Sequence, residues 1–258
     1  MKKNVELIKS YWNDRAGNDG SQQSTTMDIW LRDIESKVVS ESIQIYQPNY
    51  VCDIGCGDGR TTIKAALSYP DVFFFGFDYS ENMIKNANEN KKKYELENIE
   101  FAVGDATNHI ESKKFDFVFS TRCLINLADW ADQKNALNNI KDSLKPGGAY
   151  LMIENFIEGH ELFNSLRSSF ALPAIPIRDH NTFFNKDLLL DFMSSIFRIE
   201  SDINISSTYY MVSRIIYSSI CQQDQLIPDY SDIHHELASK LPFLGEYGPV
   251  RAITFIRY

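Results

Sequence analysis

The sequence predicts an α/β fold built on a doubly wound, mostly parallel sheet of seven strands. Short, continuous apolar runs of strand length alternate with helical segments from residue 50 to residue 153. A glycine-rich turn follows the first of these runs directly, and a helical segment follows the turn. Continuous apolar strands that alternate with helices are typical of a parallel sheet covered on both faces. The chain has 258 residues, of which 43% are hydrophobic, so it is long enough to bury such a core.

A helical leader, residues 1–46, is predicted to precede the sheet. Residues 1–25 are polar, begin as a helix and pass into a flexible stretch at 17–21 that holds two glycines. Residues 27–46 carry apolar side chains at helical spacing, and Pro48 ends that segment.

Five strand segments and the helices between them make up the body of the predicted sheet. Each strand segment is a short apolar run, and Lys145-Pro146-Gly147-Gly148 is predicted to form the turn before the fifth strand. The predicted strands are residues 50–54, 72–77, 99–103, 115–120 and 149–153. The predicted helices are residues 61–68, 81–94 and 131–144.

The pattern changes after residue 154. Residues 155–180 are irregular with one helix, a helix follows at 186–195, and residues 198–205 and 250–258 alternate as strands do. Between those last two strands, residues 207–249 are predicted to form a small cap insertion that folds over the carboxyl edge of the sheet. It holds a helix near 211–221 and then a polar loop. Because the final strand must return to the sheet, residues 1–258 are expected to form a single domain.

Charge and composition narrow the class of partner. The formal net charge is −9, and a field of that sign repels phosphate backbones and anionic lipid headgroups. The N-terminus lacks the apolar core of a signal peptide, and no apolar run approaches the roughly 20 residues that span a bilayer. The four cysteines have no metal-site spacing. We therefore expect a cytoplasmic protein that does not bind nucleic acid, a membrane or a metal ion. We expect it to be a monomer or a homodimer.

The strongest chemical signal is the segment from Val51 to Arg60. A buried strand there runs through Asp53 into alternating glycines and then a helix, an arrangement that lets backbone approach a nucleotide-like ligand closely. The third glycine stands one place too early for the G-x-G-x-x-G pattern of nicotinamide enzymes. Asp53 before the glycines suits a cationic amine better than a pyrophosphate. Asp78 ends the second strand, where a carboxylate can meet ribose hydroxyls.

These features together resemble the class I S-adenosylmethionine-dependent methyltransferases of the small-molecule type. The resemblance spans roughly residues 50–155 and includes the glycine turn, Asp78, Gly104-Asp105-Ala106, the run 115–119 and the Lys-Pro-Gly-Gly segment. It implies a Rossmann-like sheet with an antiparallel last strand, and S-adenosyl-L-methionine as the cofactor. It also implies that Asp53 holds the methionine end of the cofactor, Asp78 the ribose and Asp105 the adenine.

The predicted cofactor site extends along the same carboxyl edge of the sheet. The stretch after the fourth strand faces the crevice of an open parallel sheet, and in the resembling family it packs against the methionine moiety. The full set of predicted cofactor-binding residues is Asp53, Gly55, Cys56, Gly57, Asp78, Tyr79, Asp105, Ala106, Thr121 and Arg122.

The acceptor side is predicted from polar residues around the cap. His180 is a candidate general base, because the pKa of histidine lies near neutrality, and Glu154 ends the fifth strand and is expected to point into the crevice. The leader aromatics suit a sulfonium cation, and arginines suit an anionic substrate. The predicted substrate-binding residues are Tyr11, Asn126, Arg167, Arg178, Tyr210 and Arg214.

The resemblance points to transfer of a methyl group to a hydroxyl or amine of a small polar, anionic metabolite. A sugar derivative or an amino alcohol phosphate used in surface polysaccharide fits that description. Three alternatives are a nicotinamide-dependent oxidoreductase, a catalytically silent cofactor-binding module and a nucleic-acid methyltransferase. The glycine spacing disfavours the first, the intact acids disfavour the second, and the net charge disfavours the third.

Overall fold

A seven-stranded sheet forms the centre of the structure, a computed structural model that describes residues 5–18, 26, 28–108, 115–229 and 232–258. The strand order is β3-β2-β1-β4-β5-β7-β6. Strands β1 to β5 pair in parallel, and β7 runs antiparallel to both β5 and β6. The predicted mostly parallel sheet with an antiparallel last strand is confirmed. The strands are β1 Tyr50–Ile54, β2 Phe73–Asp78, β3 Ile99–Val103, β4 Phe115–Thr121, β5 Leu144–Asn155, β6 Phe197–Asn204 and β7 Val250–Arg257.

Helices cover both faces of this sheet. One buried cluster joins one face of the strands to α5, α7 and the turn after β4, and a second joins the other face to α2, α3 and α10. Adjacent residues of β1 show the division, since Val51 belongs to the second cluster and Cys52 to the first. The helices are α1 Val5–Asn18, α2 Ile29–Tyr46, α3 Arg60–Ser68, α4 Glu81–Lys92, α5 Trp130–Ser143, α6 Ile157–Ser169, α7 Lys186–Ser194, α8 Ser207–Met211, α9 Tyr217–Gln223 and α10 Ile233–Ser239.

The start of β5 differs from the predicted turn. The strand begins at Leu144, opposite Phe115, and its regular pairing resumes at Ala149, opposite Phe117. Residues 145–148 therefore bulge out of the sheet between those two pairs, with Gly147 at a φ of +76°. The glycines provide the bend, but they bend a strand that has already begun rather than separating a helix from a strand.

The segment between β6 and β7 holds more helix than the sequence predicted. The predicted helix near 211–221 is divided into α8, a π-helical turn at Val212–Ile216 and α9. The predicted polar loop after it contains α10, which starts at the capping residue Asp232 and packs Ala238 into the core against α2. Tertiary burial outweighs the polar composition of that short segment. No helix within the described residues is both long and apolar enough to cross a membrane.

Candidate active site

A cavity of about 590 Å³ lies at the carboxyl edge of the parallel strands. This is the edge at which open α/β sheets bind ligands, and the volume suits a cofactor together with a small molecule. Its walls come from α2, from the turns after β1, β2, β3 and β4, from α6, and from the segments before β7 and around Arg214. Elements far apart in the chain therefore converge on one space.

The turn after β1 is shaped by close backbone packing. Gly55 has a φ of +73°, and a Cβ placed there would lie 2.1 Å from Sγ of Cys123. Gly59 has a φ of +77° and would meet the Phe101 ring at 2.6 Å. Only glycine satisfies both the backbone conformation and the contact at these positions. The glycine pattern thus brings β1 against the turn after β4, and both segments line the cavity.

Asp53 lies at the bottom of the cavity as a buried carboxylate. Its side chain accepts a hydrogen bond from the Thr62 hydroxyl at 2.6 Å, and no ion pair to it occurs within the described parts of the chain. Burial raises the pKa of Asp53 to about 7, although the Thr62 hydrogen bond lowers it. A desolvated carboxylate of this kind stabilises a cationic ligand group strongly.

Two further carboxylates follow β2 and β3. Asp78 accepts hydrogen bonds from the backbone N–H groups of Gly57 at 3.1 Å and Ser80 at 2.9 Å, and burial raises its pKa to about 6. Asp105 is exposed and accepts from the Thr107 backbone and hydroxyl, both at 2.8 Å. Asp78 therefore holds the glycine turn in place from the neighbouring strand, while Asp105 organises its own turn at the cavity rim.

Unpartnered polar atoms provide a direct test of the expected cofactor. The hydroxyl groups of Thr121 and Tyr79 line the cavity and are buried, yet neither has a hydrogen-bond partner among the residues described. A buried polar atom without a partner costs about 1–3 kcal/mol, which a ligand can offset. Together with the unpaired Asp53 and the carboxylate of Asp78, these groups fit a ligand with an ammonium group and ribose hydroxyls. The residues present therefore fit S-adenosylmethionine.

Arg122 is committed to an internal ion pair. Its Nε lies 2.6 Å from Oε1 of Glu35, and its Nη2 lies 3.0 Å from Oε2, so the pair is bidentate. Glu35 is 1% exposed, and its burial raises its pKa while Arg122 lowers it. Arg122 also has a φ of +46°, a conformation rare for a residue with a side chain. The pair ties α2 to the turn after β4 across the cavity wall.

Arg214 and Arg167 are also held by the protein. Arg214 forms a buried ion pair with Asp28, which in turn accepts from the Tyr209 hydroxyl at 2.6 Å and from the Leu31 backbone N–H. Arg167 donates to the carbonyl oxygens of Pro173 and Arg214 and does not line the cavity. These arginines join α2, α6 and the segment between β6 and β7.

Arg178 is the exception among the four predicted arginines. It is exposed, lines the cavity and forms no ion pair with any residue in the described ranges. An exposed cation at the rim of a cavity is available to an anionic ligand.

Glu154 does not reach the cavity, which corrects the expectation that it points into the crevice. Its side chain is 0% exposed. It accepts hydrogen bonds from the Ser120 hydroxyl at 3.1 Å and from the backbone N–H groups of Cys123, Leu124 and Ile125 at 2.9–3.3 Å. Burial raises the pKa of Glu154 to about 7, and the hydrogen bonds lower it. The Glu154 carboxylate therefore holds the turn after β4 in place through these hydrogen bonds.

The remaining predicted residues divide between the cavity wall and its surroundings. The His180 ring stacks on Tyr11 of α1 with centroids 4.3 Å apart, and His180 lines the cavity whereas Tyr11 does not. Asn126 accepts from the Asn181 amide at 3.1 Å and also lines the cavity. All ten predicted cofactor residues line it, together with Asn126, Arg178, His180, Tyr210 and Arg214.

The sequence analysis missed several cavity residues, of which Asp28, Glu35 and His160 matter most. Glu35 carried a usable signal, because it occupies a core position of α2 between Leu31 and Val39, where an acid needs a partner. His160 carried none, because polar residues at the start of a helix are common.

The chain matches the family described as a methyltransferase domain over residues 49–237. It is 25% identical over 198 residues to the uncharacterized protein MJ0906 of Methanocaldococcus jannaschii, a similarity that covers 67% of this chain and 49% of that protein. It is 32% identical over 120 residues to malonyl-[acyl-carrier protein] O-methyltransferase 2 of Ilyobacter polytropus, with 46% and 43% covered. The chain thus spans about half the length of the curated relatives it matches.

A solved structure supports the same fold. Magnesium protoporphyrin IX methyltransferase from Synechocystis PCC 6803, with bound S-adenosylhomocysteine, superposes with a TM-score of 0.64 at 14% identity. The superposition covers 99% of this chain and 100% of that one.

Proposed function

The chain belongs to the class I methyltransferases, with S-adenosyl-L-methionine as its cofactor, and we propose that it transfers a methyl group to a small metabolite. The acceptor is a hydroxyl or amine group, and the metabolite is polar and anionic. A sugar derivative or an amino alcohol phosphate meets these requirements.

One observation carries this proposal: the carboxylates of the cofactor half and the exposed Arg178 line the same cavity. Asp53 and Asp78 stand at the ends of β1 and β2, in one half of the sheet. Arg178 comes from the segment after α6 and lines the same cavity. A cavity that contains both carboxylates and an exposed cation is suited to a cationic cofactor and an anionic acceptor.

The residues of this chain act by binding and positioning. Asp53 would bind the ammonium group and Asp78 the ribose hydroxyls, while the buried hydroxyls of Thr121 and Tyr79 supply further hydrogen bonds. The cofactor supplies a methyl group on a sulfonium that is already an excellent leaving group, so in-line alignment of the acceptor is the main requirement. The transfer forms a bond from the acceptor oxygen or nitrogen to the methyl carbon and breaks the methyl–sulfur bond. The electron pair of that bond stays on sulfur, and the acceptor's proton leaves to water.

The name of one relative supports an anionic acceptor. The malonyl-[acyl-carrier protein] O-methyltransferase is named for an acceptor with a carboxylate group. In this chain, Arg178 is the exposed arginine of the cavity lining that such a group would meet, whereas Arg60, Arg122 and Arg214 already hold internal carboxylates.

Calorimetry with S-adenosylhomocysteine tests the proposal. We expect one site per chain, and we expect Asp78→Ala to weaken binding by about 1.5–3 kcal/mol through loss of charge-assisted hydrogen bonds. The matched control is Asp33→Ala, which removes an exposed aspartate of α2 outside the cavity lining. Binding of NAD without binding of S-adenosylhomocysteine would reject the proposal. Binding without any release of S-adenosylhomocysteine from S-adenosylmethionine, across hydroxyl and amine acceptors, would favour the silent binding module.

A further inference from the structure

The strand order divides the cavity into two halves. Asp53 and Asp78 follow β1 and β2, and Asp105 follows β3, so the predicted cofactor carboxylates share the β3-β2-β1 half. Asn155 ends β5, and Pro249 precedes β7, on the other side of β4. The second half, with α6 beside it, is therefore the space in which the methyl acceptor would lie.

Asn155 is the polar group of this second half that lacks a partner. The residue is 8% exposed and lines the cavity, and its Oδ1 is buried without a hydrogen-bond partner among the described residues. Its backbone is engaged, since Asn155 pairs with Val250 and its carbonyl accepts from the Phe184 N–H at 2.9 Å. The backbone at Asn155 is thus held in place, and a donor on a ligand would satisfy its side-chain oxygen.

His160 is nearby in the chain but is occupied. The Asn164 side chain accepts from the Ile175 backbone N–H at 2.9 Å and donates to the Ile175 carbonyl at 3.0 Å, which fixes the orientation of its amide. Its amide nitrogen is then 3.1 Å from Nε2 of His160, so that ring nitrogen accepts and the proton lies on Nδ1. Burial lowers the pKa of His160. Because Nε2 of His160 already accepts from Asn164, the ring forms part of the cavity wall and is not an open base.

The middle of this half is apolar. Phe163 is fully buried and meets Tyr210 edge-on at 5.3 Å, and Phe183 meets His160 in the same way at 5.3 Å. All four rings line the cavity. Aromatic walls of this kind favour a flat or apolar ligand body. Arg178, which is exposed and forms no ion pair among the described residues, lines the same cavity.

We propose that the acceptor is a small anion with a flat, apolar middle, whose O–H or N–H group donates to Asn155 Oδ1 and whose anionic group binds Arg178. This inference rests on the proposed methyl transfer and narrows its substrate class. An ionised carboxylate has no proton to donate to this oxygen, so we expect the methylated group to be a hydroxyl or an amine. Asn155 is accordingly a specificity-determining residue, and it takes no proton itself.

Three matched probes test the inference by binding rather than turnover. The protein is saturated with S-adenosylhomocysteine and titrated with 3-hydroxybenzoate, 3-aminobenzoate and isophthalate, which differ only in the group meta to the carboxylate. We expect the hydroxyl and amino probes to bind at least tenfold more tightly than the dicarboxylate, a difference of about 1.4 kcal/mol. Equal affinity, tighter binding of isophthalate, or no binding of any probe would overturn the inference. Failure of S-adenosylhomocysteine itself to bind would instead reject the proposed function.

Variants separate the two ends of the acceptor site. Asn155→Leu should abolish the preference for the hydroxyl probe while affinity for S-adenosylhomocysteine stays within twofold, and Asn155→Ser serves as the second variant if the first does not fold. Arg178→Met should weaken all three probes about tenfold. Its control is Arg198→Met, an exposed arginine of β6 outside the cavity lining. Retention of the preference in both Asn155 variants, or equal effects of the two arginine variants, would contradict the assignment.

Discussion

At the scale of single residues, the site is defined by which buried charges have internal partners. The carboxylates of Glu35 and Asp28 are matched with Arg122 and Arg214. Within the described residues Asp53 has the Thr62 hydroxyl as its partner and no cation, and burial raises its pKa to about 7. The protein stabilises the first two charges itself, and under the proposed function a ligand would stabilise the charge of Asp53.

Asp53 makes the stability of the ligand-free protein depend on pH. Its pKa is about 7 in the folded chain and about 3.9 in the unfolded chain, so the folded state binds more protons between these values. The free energy of unfolding should therefore fall as pH rises from about 4 to 7, and Asp53→Asn should remove part of that fall. Urea unfolding at half-unit pH intervals measures it, with Asp33→Asn as the exposed control. A constant difference between wild type and Asp53→Asn across that range would contradict the prediction.

The arginines are expected to separate into structural and ligand-binding residues. Arg122→Met and Arg214→Met each leave a buried carboxylate unpaired, so each should lower the free energy of unfolding by about 3–5 kcal/mol. Arg178→Met should change it by less than about 0.5 kcal/mol, because the side chain is exposed and has no ion pair in the described chain. Denaturant unfolding of the three variants measures these differences in the free energy of unfolding. A loss of stability in Arg178→Met as large as in the other two would show that it, too, has an internal partner.

At the scale of elements, the Glu154 carboxylate fixes the conformation of the turn after β4. Three consecutive backbone N–H groups, from Cys123 to Ile125, point at its carboxylate, and the Ser120 hydroxyl adds a fourth donor. The turn carries Thr121 and Arg122 into the cavity and packs Cys123 on Gly55. A residue of β5 thus positions cavity residues without touching the cavity.

Replacing Glu154 by glutamine should loosen this turn. The new amide nitrogen would face backbone donors, and a buried donor left without an acceptor costs about 1–3 kcal/mol. Amide exchange should become faster at residues 123–125, and affinity for S-adenosylhomocysteine should fall. The control is Glu161→Gln, an exposed position of α6. Unchanged exchange in the turn of the Glu154 variant would show that the turn is held by its own packing.

At the scale of the whole molecule, Asp28 joins the leader to the proposed cap, residues 207–249. It caps α2, and it accepts hydrogen bonds from Tyr209 and Arg214 between β6 and β7. The packing of α10 on α2 adds apolar contact between the same two regions. Leader and cap are therefore in direct contact, and we expect them to respond to ligands together.

Hydrogen exchange tests this coupling. Protection should rise at residues 28–35 and at 209–216 when S-adenosylhomocysteine and 3-hydroxybenzoate are bound, because both segments line the cavity. Exposed α7 residues, which do not line it, provide the internal reference. A change in one segment without the other would argue against coupling, and no change in either would place acceptor recognition elsewhere.

Much of the fold and of the cofactor site followed from local patterns. Apolar runs predicted the strands within a few residues, and the glycine spacing predicted a turn that the positive φ of Gly55 and Gly59 explains. The carboxyl edge of a parallel sheet brings the ends of its strands together, so residues at those ends were predicted to meet, and all ten predicted cofactor residues line one cavity. The short helix α10 was missed because its burial, and not its composition, makes it helical.

The sequence by itself determined the sheet, its ligand-binding edge and the carboxylates placed there, because periodicity and turn chemistry act over a few residues. Only the tertiary structure decided which charges are free. Arg122 meets Glu35 from 87 positions away in the chain, and Arg214 meets Asp28 from 186 positions away. The orientation of the Glu154 side chain likewise depends on distant residues, because its carboxylate accepts from backbone N–H groups about 30 residues earlier in the chain. Such pairings depend on distances that exist only once the helices have packed on the sheet, so no local pattern contains them.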